Sequence, residues 1–261
     1  MKKLECVALC NIGKGRNVNQ DNVYVNGTYK DKSEDTFFQQ EIQASMGDYV
    51  YAVVDGMGGL CYGEEAAQVA VSALEKYEDR KAETNTNFSG RRAIYYMNQA
   101  VCALGREKKA SVGSTATILK YHNRKARIYN VGDSKAFLFR DGSIRQLSED
   151  HTERDCFLKI QKELGLEGGP LPGNGLTQYL GVEEEEFILE PGISDTIKMQ
   201  EKDIFLLCRD GLTALVSIEE ICQVLSESAP LMEKAKKLEQ MALDAGGMDN
   251  ITILVLTLFQ G

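Results

Sequence analysis

The 261-residue sequence predicts one domain built as a layered α/β sandwich, with sheets covered by helices. Length is the first reason, since about 150 residues per domain leaves fewer than two, and layered folds of this size often form one unit. The second is a close succession of strand-length segments rich in Val, Ile, Leu, Tyr and Phe: residues 49–55 (YVYAVVD), 115–121 (TATILKY), 126–131 (ARIYNV), 136–140 (AFLFR), 204–208 (IFLLC) and 251–258 (ITILVLTL). The third is that helical stripes come in pairs and do not alternate strictly with strands, which argues against a doubly wound parallel sheet.

Taken in order, the strand at 49–55 is followed by an apolar stripe at Ala67, Ala70, Val71, Leu74 and Tyr77, then by another at Ile94, Met97, Val101 and Leu104. Both have helical spacing and predict one helical layer. The segments 126–131 and 136–140 lie too close together for a parallel crossover, and Asp141-Gly142 between Phe139 and Ile144 is a hairpin signal, so antiparallel pairing is expected. Thr152 and Asp155 read as cap residues of a helix opening after His151, which gives that histidine a structural role. Residues 163–181 are rich in Gly and Pro and precede the acidic run 183–186, a loop with the makings of a flap over a site. Ser217 with Glu220 forms a capping box ahead of Ile218, Ile221, Cys222 and Leu225. A last stripe at Leu231, Ala235, Leu238 and Ala242 runs out at Gly246-Gly247, which suits a helix C-terminus.

Composition narrows the function. With 43% hydrophobic and 26% charged residues the chain can bury a core, and it is neither fibrous nor disordered. A net charge of −9 and a pI near 5.0 argue against nucleic acid and against an anionic membrane surface as partners. No apolar run approaches the ~18 residues of a membrane span, and the short apolar stretch after Met1-Lys2-Lys3 is broken by Glu5, so a cytoplasmic protein is expected. Seven cysteines without a CxxC pair suggest buried thiols in a reducing compartment, and neither a disulfide framework nor a zinc knuckle.

The chemistry is carried by aspartates at strand ends. Asp55 in Val54-Asp55-Gly56, Asp133 in Val131-Gly132-Asp133-Ser134, Asp210 in Arg209-Asp210-Gly211 and Asp249 in Met248-Asp249-Asn250 each end or begin an apolar strand. Strands of one sheet system bring their ends together, so these residues are expected to converge on a dense patch of negative charge that needs a cation. Asp141-Gly142 is excluded as a hairpin turn. With only His122 and His151 as histidines, the donors are all oxygen, which suits Mg²⁺ or Mn²⁺ and not Zn²⁺. Two such ions about 3.5–4 Å apart can generate hydroxide near neutral pH and clamp the oxygens of an in-line phosphoryl displacement. Arg16, in Gly13-Lys14-Gly15-Arg16, is the candidate phosphate fork; the P-loop pattern is absent.

At these residues the chain resembles the metal-dependent serine/threonine protein phosphatases of the PPM family, also called type 2C, in their compact bacterial form. The motifs lie in family order from end to end: Gly15-Arg16-Asn17-Val18-Asn19-Gln20-Asp21, Asp55-Gly56-Met57-Gly58-Gly59, Gly113-Ser114-Thr115-Ala116, Val131-Gly132-Asp133-Ser134, Ser148-Glu149-Asp150-His151-Thr152, Leu176-Thr177-Gln178-Tyr179-Leu180-Gly181, Asp210-Gly211-Leu212-Thr213 and Gly247-Met248-Asp249-Asn250-Ile251-Thr252. The resemblance implies a four-layer α-β-β-α sandwich over residues 1–261, two antiparallel sheets flanked by helices, with metals at one edge. It implies that Asp55 bridges two ions, that the Gly56 carbonyl binds the second, that Asp210 and Asp249 complete the first, and that Asp133 helps hold a weaker third. Asp21 and Asn250 would orient metal waters or ligands, and Arg16 would hold the substrate phosphate.

The chain departs from the family pattern at Gln20, where many members carry a metal-binding Glu, and at Met57 and Leu60, where a His is frequent. It also carries Arg209 where a small Ser is usual. The implied activity is hydrolysis of phosphoserine and phosphothreonine in proteins by a metal-bridging hydroxide, in a monomer whose partners are phosphoproteins and a cognate Ser/Thr kinase with its substrates. The competing readings are a phosphatase-like regulatory binding module with little turnover, motivated by Gln20 and Arg209, and a two-metal phosphodiesterase or nuclease, disfavoured by the acidic composition.

Overall fold

Apolar residues alternate along the central strands so that both faces are buried, which requires cover on each side. In residues 48–55, Val50, Ala52 and Val54 face one core while Tyr51 and Val53 face another. In residues 204–208, Phe205 and Leu207 share that second core, and Ile204, Leu206 and Cys208 face a third. Three cores stacked between two sheets and two helical layers make the α-β-β-α sandwich that the resemblance implies.

The computed structural model describes residues 2–57, 62–84, 87–166, 168, 170–183, 185 and 188–261. In chain order the elements are β1 (Lys2–Asn11), β2 (Asp21–Val25), β3 (Thr28–Tyr29), β4 (Thr36–Ala44), β5 (Asp48–Asp55), α1 (Gly63–Thr84), α2 (Gly90–Lys108), β6 (Ala116–His122), β7 (Lys125–Val131), β8 (Lys135–Arg140) and β9 (Ser143–Gln146). They continue with α3 (Glu153–Leu164), β10 (Gly192–Ile193), β11 (Ile197–Lys198), β12 (Ile204–Cys208), α4 (Asp210–Thr213), α5 (Ile218–Ser226), α6 (Leu231–Asp244) and β13 (Ile251–Gln260). One sheet runs β4-β1-β13-β12-β8-β9 and the other β10-β7-β6-β5-β2-β3, with β11 also on β7; every pairing is antiparallel. Helices α1 and α2 cover the second sheet through Ala67, Ala70, Leu74, Ile94 and Met97, while α5 and α6 cover the first through Ile221, Leu225, Ala235 and Leu238.

Local signals account for most boundaries. Ser217 and Glu220 close the reciprocal capping box of α5, and Thr152 caps α3 by accepting from the Asp155 amide. His151 is buried, its Nδ1 accepting from the Gly132 amide at 3.2 Å, in keeping with a structural role. The hairpin turn at Asp141-Gly142 joins β8 to β9, both residues at positive φ.

Two expectations change. The segments 126–131 and 136–140 do not pair with each other: β7 lies in one sheet and β8 in the other, because Gly132, at φ 96°, turns the chain across the sandwich. Ser134 fastens that crossing, its carbonyl accepting from Thr117 Oγ1 at 2.8 Å. The thiols are also less uniform than expected, with Cys6, Cys10, Cys102 and Cys208 buried but Cys156 exposed and Cys222 half-buried. Strands β1, β2 and β4 were not foreseen. β1 mixes Leu4, Val7 and Leu9 with Lys, Glu, Ala and Asn, which are depleted in strands, and β4 is an edge strand with half-exposed polar residues.

Candidate active site

The alternation that builds the cores also aims the site. Residues of β2, β5 and β12 that face the space between the sheets carry odd numbers, as in Val23, Val25, Tyr51, Val53, Phe205 and Leu207. One step past or at the strand ends, the same parity points Asp21, Asp55 and Arg209 into the mouth of that space. On β13 the inter-sheet residues are even, as in Leu254 and Leu256, which directs Thr252 there too. Asp21 and Asp55 are paired across β2 and β5, so one sheet presents two carboxylates side by side. The other sheet contributes Asp210 after β12 and Asp249 before β13.

The structure thus brings four expected aspartates together, with Arg209 between them. Arg209 is only 6% exposed. Its Nε lies 3.0 Å from Asp55 Oδ2 and 3.2 Å from Asp21 Oδ1. Nη2 lies 2.6 Å from Asp55 Oδ2 and 3.1 Å from Asp210 Oδ1. Nη1 reaches Asp249 Oδ1 at 2.9 Å and the Asn250 carbonyl at 3.1 Å. Asp133 sits close enough that burial, then the charge of Asp210, push its carboxyl upward.

Arg16 stands on the rim, its side chain 43% exposed, and makes a fork with Asp249: Nε to Oδ1 at 2.7 Å and Nη2 to Oδ2 at 2.8 Å. Its loop is held tightly. The amides of Lys14 and Gly15 donate to the Gly247 carbonyl, and a Cβ at Gly13, φ +77°, would lie 2.1 Å from the Asp249 carbonyl oxygen. Asn250 ties the same parts together. Its Oδ1 accepts from the Gln20 amide at 2.9 Å and its Nδ2 donates to the carbonyls of Ile12 and Val18. Asp21 accepts from Thr252 Oγ1 at 2.6 Å. Gly56 donates its amide to the Gln20 carbonyl at 3.0 Å. Gln20 presses its side-chain amide toward Gly63 at the start of α1. Gly58, Gly59 and Leu60 lie outside the described residues, as do Glu184 and Glu186 of the acidic run.

Charge in this pocket is unbalanced. Five carboxylates face two guanidiniums, and the most buried of them respond most strongly. Burial pushes the Asp55 carboxyl up to about 6 against the pull of Arg209, and raises Asp21 well above the carboxylate range for the same reason. Asp249 goes the other way: burial opposes it, but the Arg16 fork and then Arg209 hold it at about 2. Burial works against the charge on Arg209 as well, yet the surrounding aspartates raise its pKa well above the usual value.

The donor set fits hard divalent cations in chemical type. Two buried carboxylate oxygens, Asp21 Oδ1 and Asp210 Oδ1, have no hydrogen-bond partner and touch only the guanidinium by charge. Among the described residues, no three carboxylates close around a common ion position as they stand, because the guanidinium fills the middle. Sequence reasoning noticed Arg209 as a departure but gave it no role. Strand parity, extended one residue beyond Cys208, is the signal that places it.

The chain is similar to several phosphatases. The sequence profile of the family Protein phosphatase 2C matches residues 22–156. The chain is 29% identical over 262 residues to the protein phosphatase PhpP of Streptococcus pneumoniae serotype 2, covering 98% of each. It is 31% identical over 221 residues to the serine/threonine phosphatase stp of Listeria welshimeri, covering 79% of this chain and 83% of that one. Among solved structures it is similar to the Mycobacterium tuberculosis serine/threonine phosphatase PstP/Ppp, with a TM-score of 0.72, 26% identity and 98% of each chain covered. It is also similar to the catalytic domain of PstP in complex with two manganese ions, with a TM-score of 0.74, 25% identity and the whole of both chains covered. Sandwich, ordered motifs and end-to-end likeness agree: this chain belongs to the protein phosphatase 2C family.

Proposed function

We propose that this chain is a single phosphatase domain over residues 1–261 that hydrolyses phosphoserine and phosphothreonine in proteins with the help of two divalent ions, Mn²⁺ or Mg²⁺. The observation that carries the reading is the convergence of Asp21, Asp55, Asp210 and Asp249 from both sheets at one mouth, with two buried carboxylate oxygens left without hydrogen bonds. The PstP relative crystallised with two manganese ions supports the ion number. Asp55, the Gly56 carbonyl, Asp210 and Asp249 are the proposed ligands, with Asp133 helping to hold a third, weaker ion. When bound, such ions acidify water and neutralise phosphate oxygens.

The rest of the work falls to the chain itself. Arg16 stands at the rim on a loop fixed by Asn250 and Gly247, and the guanidinium that now grips Asp249 would offer a phosphate monoester its charge and N–H groups there. Asp21 and Asn250 position their neighbours, Asp21 through Thr252 and Asn250 through the Gln20 amide. Phosphoproteins, including the substrates of a cognate kinase, are the partners this site suits. A cytoplasmic location accords with the absence of a disulfide among the described cysteines; no helix among the described residues is long and apolar enough to cross a membrane.

The test is turnover of an aryl phosphate and a phosphothreonine peptide. Chelation should abolish it, and Mn²⁺ should restore it where Zn²⁺ does not. Full activity in excess chelator would sink the proposal. Absence of turnover in Mn²⁺, with the peptide still bound, would favour the regulatory binding module instead.

A further inference from the structure

We infer that Arg209 is a resident counter-cation of the metal site: it holds the aspartates together when no ion is bound and gives up Asp55 and Asp249 when ions enter. The inference rests on the phosphatase reading above and concerns what this chain's own side chain does to ion binding.

The geometry excludes an incidental contact. Each of the three guanidinium nitrogens faces at least one carboxylate, and the set reaches four aspartates that come from both sheets. The backbone makes this reach possible. Arg209 is extended, at φ −92° and ψ 177°, and its amide donates to the Thr252 carbonyl, which keeps it in the plane of the sheet one residue beyond β12. The following turn hugs β13 so closely that a Cβ at Gly211 would lie 1.9 Å from the Asn250 carbonyl oxygen, and the alternation that turns Phe205 and Leu207 into the inter-sheet space turns Arg209 the same way.

Charge counting says why the position matters. Four carboxylates brought to one mouth without a cation would repel one another, and the buried pair Asp21 and Asp55 would also lose hydration, so an ion-free chain needs an internal positive charge there. One guanidinium supplies part of it and leaves Asp21 Oδ1 and Asp210 Oδ1 without hydrogen bonds. Divalent ions would complete the neutralisation, yet the best ligand atoms are already engaged. Asp55 Oδ2 accepts two N–H groups from Arg209, and Asp249 Oδ1 accepts from Arg16, Asn250 and Arg209. An ion and the guanidinium therefore compete for the same lone pairs. Whatever the arginine contributes to the ion-free state lowers the apparent affinity for ions by the same factor.

Calorimetry with Mn²⁺ on chelator-stripped protein, paired with thermal melts in chelator and in Mn²⁺, tests this on wild type, Arg209→Ser and Arg209→Lys. Arg209→Ser should bind Mn²⁺ at least tenfold more tightly, melt roughly 5–10 °C lower in chelator, and gain more from Mn²⁺ than wild type does. Arg209→Lys keeps the charge but loses the fork, and should fall between the two in affinity, which keeps the question open to measurement even if Arg209→Ser cannot be held folded without ions. A purely structural arginine would lower the melt without tightening Mn²⁺. Equal or weaker Mn²⁺ binding in both variants, with wild type binding normally, overturns the inference and leaves the phosphatase reading intact. No Mn²⁺ binding by any of the three chains overturns both.

Discussion

Strand β12 carries an arginine–aspartate ion pair at each end, and the two differ in how many charges they balance. At its start, Asp203 accepts both forks of Arg140, Nε at 2.8 Å and Nη2 at 2.6 Å, one cation for one anion. At its finish, Arg209 faces Asp21, Asp55, Asp210 and Asp249. The Arg140 pair closes on itself. Asp203 adds the Gln200 amide, Arg140 adds the Lys198 carbonyl, and no buried oxygen of the pair lacks a partner. The Arg209 end is left short of positive charge and of hydrogen bonds, which is how a site that expects a further ligand differs from one that is complete.

The largest effect should come from cutting the charge-rich end. Asp210→Asn and Asp249→Asn keep shape and remove a ligand charge, so each should lower kcat/KM by about a thousandfold or more, some 4 kcal/mol in the transition state. Both should stay folded, because Arg209 retains three other carboxylates. Activity within tenfold of wild type in either variant would remove that residue from the ligand set. Next comes Arg16→Ala, expected to lower kcat/KM by about 2–4 kcal/mol through loss of a charged phosphate contact. An unchanged value would return Arg16 to the rim as a partner of Asp249 and nothing more.

Asp133 sharpens the contrast within the charged end itself. It lies near Asp210 and is raised by burial, but its carboxylate makes none of the ion pairs with Arg209. Asp133→Ala should therefore keep two tightly bound Mn²⁺ ions by calorimetry and melt near the parent temperature, while kcat falls about 10- to 100-fold. Loss of one tight ion instead would move Asp133 into the central set.

Much of this was legible in the sequence because strand ends are legible. An apolar run that stops at Asp55, or starts after Asp249, announces both the strand and the carboxylate at its tip. Two of the capped helices, α3 and α5, show their caps plainly in the sequence. What escaped were features that depend on partners distant in sequence. β1 is the central neighbour of β13, paired along its whole length, yet its charged start and single β-branched residue, Val7, give it little of a strand's usual composition. The separation of β7 from β8 turns on three residues, Gly132 to Ser134, that read as an ordinary turn. Arg209 escaped for a third reason. Its role is set by three carboxylates brought from other strands in addition to its neighbour Asp210, and a single cation beside Asp210 gives no hint of how many anions it will meet.

The smallest effect on turnover belongs to the balanced end, and it is the control for everything above. Arg140 lies on β8 beside the hairpin turn, while Lys135 and Ser134 mark the other end of that strand toward the aspartates. Arg140→Ala strands Asp203, which is 1% exposed in its side chain, and should destabilise the fold by about 2 kcal/mol. The figure sits below the full cost of orphaning a buried charge because Asp203 Oδ2 keeps the Gln200 amide and because Arg140 is itself 29% exposed. Denaturant unfolding would read that loss, and kcat/KM on the aryl phosphate should stay within a factor of two. If Arg140→Ala instead lowered turnover as Arg16→Ala does, the two ends of β12 would be coupled. The charge imbalance at Arg209 could not then be treated as a local property of the site.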